Sequence, residues 1–401
     1  HTGDWKFDNF ESGARTLIDK IRYMRWGNPN DPFYFRFGNL HNVNLGMGIL
    51  VLGYTNALQY PSVRKLGLDL KSDFGTLGVE LINSDFKFKP GLVGGRLSYK
   101  ILPGINMGFS LTKDIDQYAG LSDRDGDNYP DIFDHFPDDF DKQDEAQEQI
   151  DMWEEHYWDH VYGNEEFSSF NDWFVQLPLN HNTYNPVSTE TNTVSGYALD
   201  LSYRLPLGGL LYSQAAKLSA QHSDSTSFEG GYGFVPIGLK FKLGPATLVA
   251  EYRSNSKYFL FNYWDRSYEI NRATVIAENL KTKEDKLFNF GEMKGLFIQL
   301  NLGLGNIIFL SSNYTDMQGE VRESVDKIFI PTESNKSFSS TLSLKPNLIP
   351  KLNKAELFYQ QTNIPNPFAF EFSETTIYGY YLELQISKGM TFVFKSTTSF
   401  I

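Results

Sequence analysis

Apolar and polar residues alternate with a period of two in many short stretches of this 401-residue chain. That spacing puts consecutive side chains on opposite faces of a β-strand. From Leu296 to Leu302 the leucines and Ile298 share a face opposite Gln299 and Asn301. Tyr380, Leu382, Leu384 and Ile386 oppose Tyr381, Glu383, Gln385 and Ser387, and Ile237, Leu239, Phe241 and Leu243 oppose Gly238, Lys240 and Lys242. Leu66, Leu68 and Leu70 oppose Lys65, Gly67, Asp69 and Lys71. Similar dyads run from Tyr197 to Arg204, Ala246 to Arg253, Phe338 to Lys345 and Ala355 to Gln361. One apolar face per strand suits a soluble sandwich as well as a barrel, so alternation alone leaves both open.

The connections separate the two. Tight Gly/Pro turns occur at Leu102-Pro103-Gly104, Leu243-Gly244-Pro245, Gly303 to Asn306 and Ser387-Lys388-Gly389, with slightly longer ones at Pro206 to Gly209 and Pro346 to Asn353. Between successive hairpins lie long polar segments, roughly 114–193, 222–232, 254–292, 314–336 and 362–376. Regular alternation of short and long connections is the topology of a membrane-spanning up-and-down barrel; a sandwich has no reason to gather its long loops at one end. Six hairpins give twelve strands, and Leu66–Lys71 with Gly75–Ile82 make fourteen. Arg22–Trp26 and Phe33–Leu40 make sixteen, unless they form an amino-terminal plug or a periplasmic turn. The expected fold is therefore all-β: a transmembrane antiparallel β-barrel of 14–16 strands with one long, partly helical extracellular insertion. Its segments are 1–60 (first strands or plug), 61–113 (barrel), 114–193 (acidic loop) and 194–401 (barrel).

Composition fits this picture. The longest apolar run, Met47 to Tyr54, is too short to cross a bilayer as a helix, which leaves a closed barrel as the spanning structure. Aromatic residues reach 15%, as expected where rings form girdles at both membrane interfaces. Cysteine is absent, which removes disulfide, thiolate-metal and thiol-nucleophile chemistry. The chain begins at His1 with no basic-plus-apolar leader and reads as a mature, exported product. Phe392, Phe394 and Phe400 fall on one face of the last strand, Thr391 to Ile401. Here the chain resembles bacterial outer-membrane β-barrel (porin-like) proteins, whose final strand commonly ends in an aromatic-rich insertion signal; Ile401 departs from an aromatic terminus. The resemblance implies a Gram-negative outer membrane, with its lipid as a partner.

Charge is concentrated. Between Asp114 and Glu166 stand 13 Asp and 6 Glu against Arg124 and Lys142, a local −17 within an overall −13, so the rest carries about +4. Inside this insertion Asp123, Asp125, Asp127 and Asp134 occupy positions 1, 3, 5 and 12 of a run that can wrap one hard cation, with the Tyr129 carbonyl as the backbone ligand. Gly126 lets the loop turn between ligands. The run resembles thrombospondin type 3 calcium repeats, though it lacks their cysteine and its Gly falls between the second and third ligand aspartates. Calcium is the expected cofactor; a merely solvated acidic loop is the plainer alternative. Asp141 to His160 reads as a helix, with Ile150, Trp153 and Tyr157 at helical spacing and His156 and His160 on one polar face.

No G-x-S-x-G, H-E-x-x-H, Walker or G-x-G-x-x-G signature is present in a suitable setting, and basic residues are dispersed, so neither an enzyme nor a nucleic-acid binder is expected. Gly46, Gly48 and Gly53 fit tight backbone approach. The face opposite the apolar stripe carries Arg36, Lys65, Lys71, Arg96, Lys100, Arg204, Lys240, Lys242, Arg253, Lys345 and Lys395 against Asp69, Asp200, Glu251, Glu356 and Glu383. Arg96, Lys100, Lys240, Lys242, Glu251, Arg253 and Glu383 are the candidate lumen-lining set. The leading expectation is a porin-like channel for small hydrophilic solutes, anion-preferring by this count, with a calcium-stabilised external loop and room for a homo-oligomer. The alternatives are a surface scaffold or adhesin anchored by the barrel, and a secreted calcium-dependent binding protein.

Overall fold

The computed structural model describes residues 23–29, 31–60, 63–121, 154–161, 169, 193–220, 230–276, 279–305, 307–322, 328–344, 349–369, 371–373, 375–387 and 390–399. The acidic motif from Asp123 to Asp141 lies outside them. Residues 118–191 form a compact unit of their own. Within it, Glu154 to His156 are helical and Tyr157–Val161 continue as one turn of π-helix, with Tyr157 buried. The remaining residues form the second unit, which holds the strands.

Eighteen strands are described: β1 Tyr23–Trp26, β2 Phe33–Gly38, β3 Gly67–Asp73, β4 Leu77–Asn83, β5 Val93–Leu102, β6 Ile105–Asp114, β7 Val194–Arg204, β8 Gly209–Ala220, β9 Tyr232–Leu243, β10 Ala246–Asn255, β11 Ala273–Ile276, β12 Asn279–Thr282, β13 Phe290–Leu304, β14 Ile308–Arg322, β15 Phe329–Leu344, β16 Leu352–Ile364, β17 Thr376–Ser387 and β18 Met390–Ser399. All but β11 and β12 join one sixteen-stranded sheet in which each strand pairs with the next. Every described register in it is antiparallel. Connections alternate between the two ends: 27–32, 74–76, 103–104, 205–208, 244–245, 305–307, 345–351 and 388–389 lie at one end, and those at the other are longer except between β14 and β15, where six residues intervene.

The alternation explains which face meets lipid. On β7, Tyr197, Leu199, Leu201 and Tyr203 point outward and stay exposed, Leu199 by 54%, while Val194, Ala198, Asp200 and Ser202 point inward and are buried. Tyrosines bracket leucines over six residues, about 20 Å along the strand, close to the roughly 25 Å apolar band of outer-membrane barrels. Leu97, Phe109, Leu296, Leu357, Tyr380 and Phe394 continue the exposed band around the sheet. Both ends of the sheet border the same interior: Tyr23 and Arg36 of β1 and β2 share one cavity with Lys354 of β16 and Glu383 of β17. Lys395 of β18 donates to the carbonyls of Ala57 and Tyr60, the segment that also packs on Gly67 of β3. The sheet is rolled into an antiparallel up-and-down barrel.

A barrel of sixteen strands is too wide for strand side chains alone to fill. Two connections at the long-loop end fold inward and fill half of it. The first, residues 39–60, contains the Met47–Tyr54 run, with Ile49, Leu50, Val51 and Tyr54 at most 3% exposed. The second, residues 256–289, carries α1 (Tyr268–Asn271), the β11–β12 hairpin and α2 (Lys283–Leu287). The α2 helix starts at a capping box in which the Thr282 hydroxyl accepts from the Asp285 amide while the Asp285 carboxylate accepts from the Thr282 amide. Phe259, Tyr263, Trp264 and Tyr268 of this segment are buried and pack with Leu50, Val51 and Tyr54 into one core.

Two expectations are corrected. Segment 254–292 is not an external polar loop, because its aromatic residues are buried inside the barrel rather than hydrated. Segment 314–336 is mostly strand: β14 and β15 run 15 and 16 residues, and their polar upper parts hid the alternation. Glycines make close packing possible at the wall. A Cβ on Gly196 would lie 2.5 Å from the Thr112 hydroxyl and 2.9 Å from the Trp264 ring. Gly46 combines a φ of +57° with a Cβ position 2.9 Å from Arg96 Nε, so both conformation and space require glycine.

Candidate functional site

The half of the barrel left unfilled holds a cavity of about 1260 Å³. One wall is the inner face of β14 and β15, where alternate positions place Phe309, Ser311, Asn313, Thr315 and Met317 beside Ser337, Ser339, Thr341 and Ser343. The nine residues from Phe309 to Met317 span about 27 Å along the strand. The lining thus reaches from Phe309, Leu344 and Asn353, next to the short turns, to Asn363 and Thr375, next to the long connections. It follows the barrel wall for most of its height.

The facing side is built by β10, by the inserted 256–289 segment and by β16. Arg253 of β10 donates from Nε to Glu251 at 2.7 Å, and the Tyr212 hydroxyl donates to the same carboxylate at 2.5 Å. The guanidinium lies 3.6 Å from the Phe297 ring centre and 4.8 Å from that of Phe261. Flanked by two aromatic faces and held at Nε, it is fixed in orientation. Arg266 crosses from the inserted segment to the opposite strands: Nη1 donates to Thr341 at 2.9 Å, Nη2 to Glu356, and its charge sits 4.3 Å from the Phe358 ring centre. Lys354 pairs with Glu356 at 3.1 Å and Lys283 with Asp265 at 3.0 Å. Gln360 donates to Asp265 and Ser267, tying the inserted segment to β16 a second time.

On the filled side, anchors of another kind hold the inserted segment. Arg272 donates to both oxygens of Asp114 at 2.7 and 2.9 Å, and Tyr268 donates to the same carboxylate. Glu269 accepts from Lys65 and from the Tyr54 hydroxyl. Burial alone would raise the Glu269 pKa, but Lys65 and Arg272 more than offset it and hold the carboxyl below its ordinary value. Tyr54 and Tyr268 go the other way: burial and the neighbouring carboxylates push both phenols well above ordinary tyrosine.

The residues singled out in the sequence fall in different places. Glu251, Arg253 and Glu383 are gathered in or against the cavity, Glu383 accepting from Asn353 at 3.1 Å. Arg96 is buried on the filled side, donating to Asp200 at 2.7 and 3.0 Å and to Glu80 at 2.9 Å. Lys100 lies at the short-turn rim, exposed and 3.4 Å from Asp73. Lys240 and Lys242 alternate inward on β9 with Gly238 and are exposed. Asp123, Asp125, Asp127, Tyr129 and Asp134 lie outside the described residues. Counting charges on strand faces did not capture the electrostatics of the interior, because Arg96, Arg253 and Lys65 are each balanced by acids, two of which, Glu80 and Glu269, were not counted. Asn262, Asp265, Arg266 and Lys283 were missed because the inserted segment was read as external. The signal was present in Phe259, Phe261, Tyr263 and Trp264, too aromatic a run for a hydrated loop.

No protein-family model matches the sequence, and no curated protein matches it. Among solved structures, the chain is similar to OccK5 (OpdH) of Pseudomonas aeruginosa, at 10% identity over 92% of this chain and 76% of that one, with a TM-score of 0.36. It is similar to OccAB4 of Acinetobacter baumannii, at 12% identity over 94% and 74%, with a TM-score of 0.35. It is also similar to a BenF-like porin from Pseudomonas fluorescens Pf-5, at 11% identity over 94% and 89%, with a TM-score of 0.28. The rolled antiparallel sheet of sixteen strands, its apolar outer band and its split between short and long connections are the architecture of bacterial outer-membrane barrels.

Proposed function

We propose that the protein is a passive outer-membrane channel whose route for small hydrophilic solutes is eccentric, running between the inserted segment and the β13–β15 wall. The observation that carries this reading is the cavity that follows β14 and β15 from one end of the barrel toward the other, lined by Ser, Thr and Asn. Such a lining replaces the hydration of a polar solute without holding it tightly, as conduction requires. Reconstitution into planar bilayers tests it. Discrete current steps are expected, and Ser339→Trp should reduce them strongly, whereas a barrel that merely anchors an external scaffold would give none.

A calcium site in the acidic insertion is part of the proposal, supported by the spacing of Asp123, Asp125, Asp127 and Asp134 with the Tyr129 carbonyl. Chelation should speed proteolytic cleavage near residues 120–141 while the barrel keeps its folded gel migration. Unchanged cleavage and unchanged calcium binding after Asp125→Ala and Asp127→Ala would remove the site.

A further inference from the structure

We propose that the cavity contains a binding site for short, uncharged saccharides formed by Asn262, Asn313, Ser339, Thr341 and Arg253; this rests on the channel reading and gives it a solute class. Most polar groups in the cavity wall are satisfied by neighbours; among the described residues the buried exceptions are Oδ1 of Asn262 and of Asn313 and Nε of Arg266, and they define the ligand. Asn313 donates from Nδ2 to Ser339 at 3.3 Å, yet its buried Oδ1 has no partner. Asn262, on the inserted segment facing it, has a buried Oδ1 without a partner as well. Turning either amide over would exchange a carbonyl for an NH₂ and still leave one end open. The Ser339 and Thr341 oxygens accept from Asn313 and Arg266, which leaves their own protons to be donated. Arg253 donates from Nε to Glu251, and among the described residues its terminal nitrogens have no hydrogen-bond partner.

The cavity thus offers unfilled acceptors and unfilled donors side by side. A buried polar atom without a partner is costly, so the fitting ligand supplies both kinds at short spacing. Hydroxyl groups do so, each donating once and accepting twice. A carboxylate only accepts and a phosphate has at most one or two protons to donate, and either would set its charge against the Asn262 and Asn313 carbonyls. Charge balance agrees in number: Arg253 pairs with Glu251 and Lys283 with Asp265, Arg266 and Lys354 share Glu356, and Glu383 lines the same space, so these four cations stand beside four acids. Phe261 and Phe290, both half-buried, line the same space and offer apolar surface to the C–H groups of a sugar ring. Its volume of about 1260 Å³ exceeds the roughly 300–1,000 Å³ of a single-ligand pocket, so a short oligomer fits better than one ring.

The full chain in planar bilayers, with maltotriose, trigalacturonate or inorganic phosphate added in turn, tests the proposal. Maltotriose should interrupt the current, and the two anions should do so far more weakly. Asn313→Leu should weaken the interruption by roughly three- to tenfold, the loss of one or two neutral hydrogen bonds, while open-channel current remains. Asn313→Asp, equal in size, should weaken it similarly and serves if the leucine variant does not fold. Current without maltotriose interruption, or tighter binding of trigalacturonate, overturns the saccharide site and leaves the channel standing. If no current flows at all, the channel reading fails, and calorimetric binding of maltotriose to the purified protein then decides the site, absence of binding overturning it.

Discussion

The two halves of the barrel share one backbone pattern and one lipid-facing band but have opposite interiors. On β7, inward Val194, Ala198, Asp200 and Ser202 are buried under the inserted segments; on β14, the inward Ser311, Asn313 and Thr315 are only half-buried and face the cavity. The filled side presents small or charge-paired residues that admit Trp264 and Leu50 at close range. The open side presents hydroxyls and amides that face the cavity. An inward face therefore records what it meets: Gly, Ala and Val mark protein, and Ser, Thr and Asn mark water and solute.

Substitutions on the two sides should break this symmetry of backbone. Trp264→Ala removes the largest fully buried side chain among the described residues and its 3.0 Å hydrogen bond to the Gly91 carbonyl, and should cost about 3–5 kcal/mol. Phe309→Ala, in the cavity wall, should cost less than about 2 kcal/mol, because little buried area is lost. Urea titration of gel migration in detergent compares the two, and equal costs would erase the distinction between packed and wet halves. The outer surface sharpens the contrast by lacking it. Leu199→Arg on the filled side and Ile298→Arg on the open side both expose charge to lipid and should each cost about 2–4 kcal/mol near the midplane. A clear difference between them would mean that one outer face is covered by something other than lipid.

The smallest expected effect is on pH. Glu269 is held below the ordinary glutamate value of about 4.3 by Lys65 and Arg272, so the stability it lends the inserted segment is complete above that value. It is lost as pH falls further, through the depressed folded-state value. Hydrogen exchange in residues 256–276 should therefore quicken below about pH 4 while strand amides stay protected. Glu269→Gln should flatten that dependence, and the cavity side, which has no part in this anchor, should not respond.

The fold was legible because a period-two stripe and a rhythm of short and long turns are properties of neighbouring residues. Leu296–Leu302 and Tyr380–Ser387 announced their strands, and sixteen strands stood at the upper end of the count. The interior was less legible, since it depends on where connections go after leaving the sheet. Arg253 and Glu251 could be placed on an inward face, but not their mutual pairing or the Phe261 and Phe297 rings around them. Arg266 was invisible as a wall residue because nothing local says that its segment turns back into the barrel. The polar stretch of β14 and β15 was misread for a related reason: once strands rise past the lipid, both faces are wet and the stripe disappears.

The inserted core also sets an order of assembly. Tyr54 and Glu269 are separated by 215 residues, and Lys395 meets Ala57 across 338. Contacts so distant in the chain form only after the intervening length has been placed, at a cost in loop entropy and in speed. The glycine-and-alanine face of β7 and β8 must wait uncovered until the segment beyond β10 arrives, and the carbonyls near residue 60 wait for the last strand. A protein with its stopper at one terminus could fill its barrel early or late. This one carries filling in two connections, residues 39–60 and 256–289, and the later one follows ten of the sixteen wall strands.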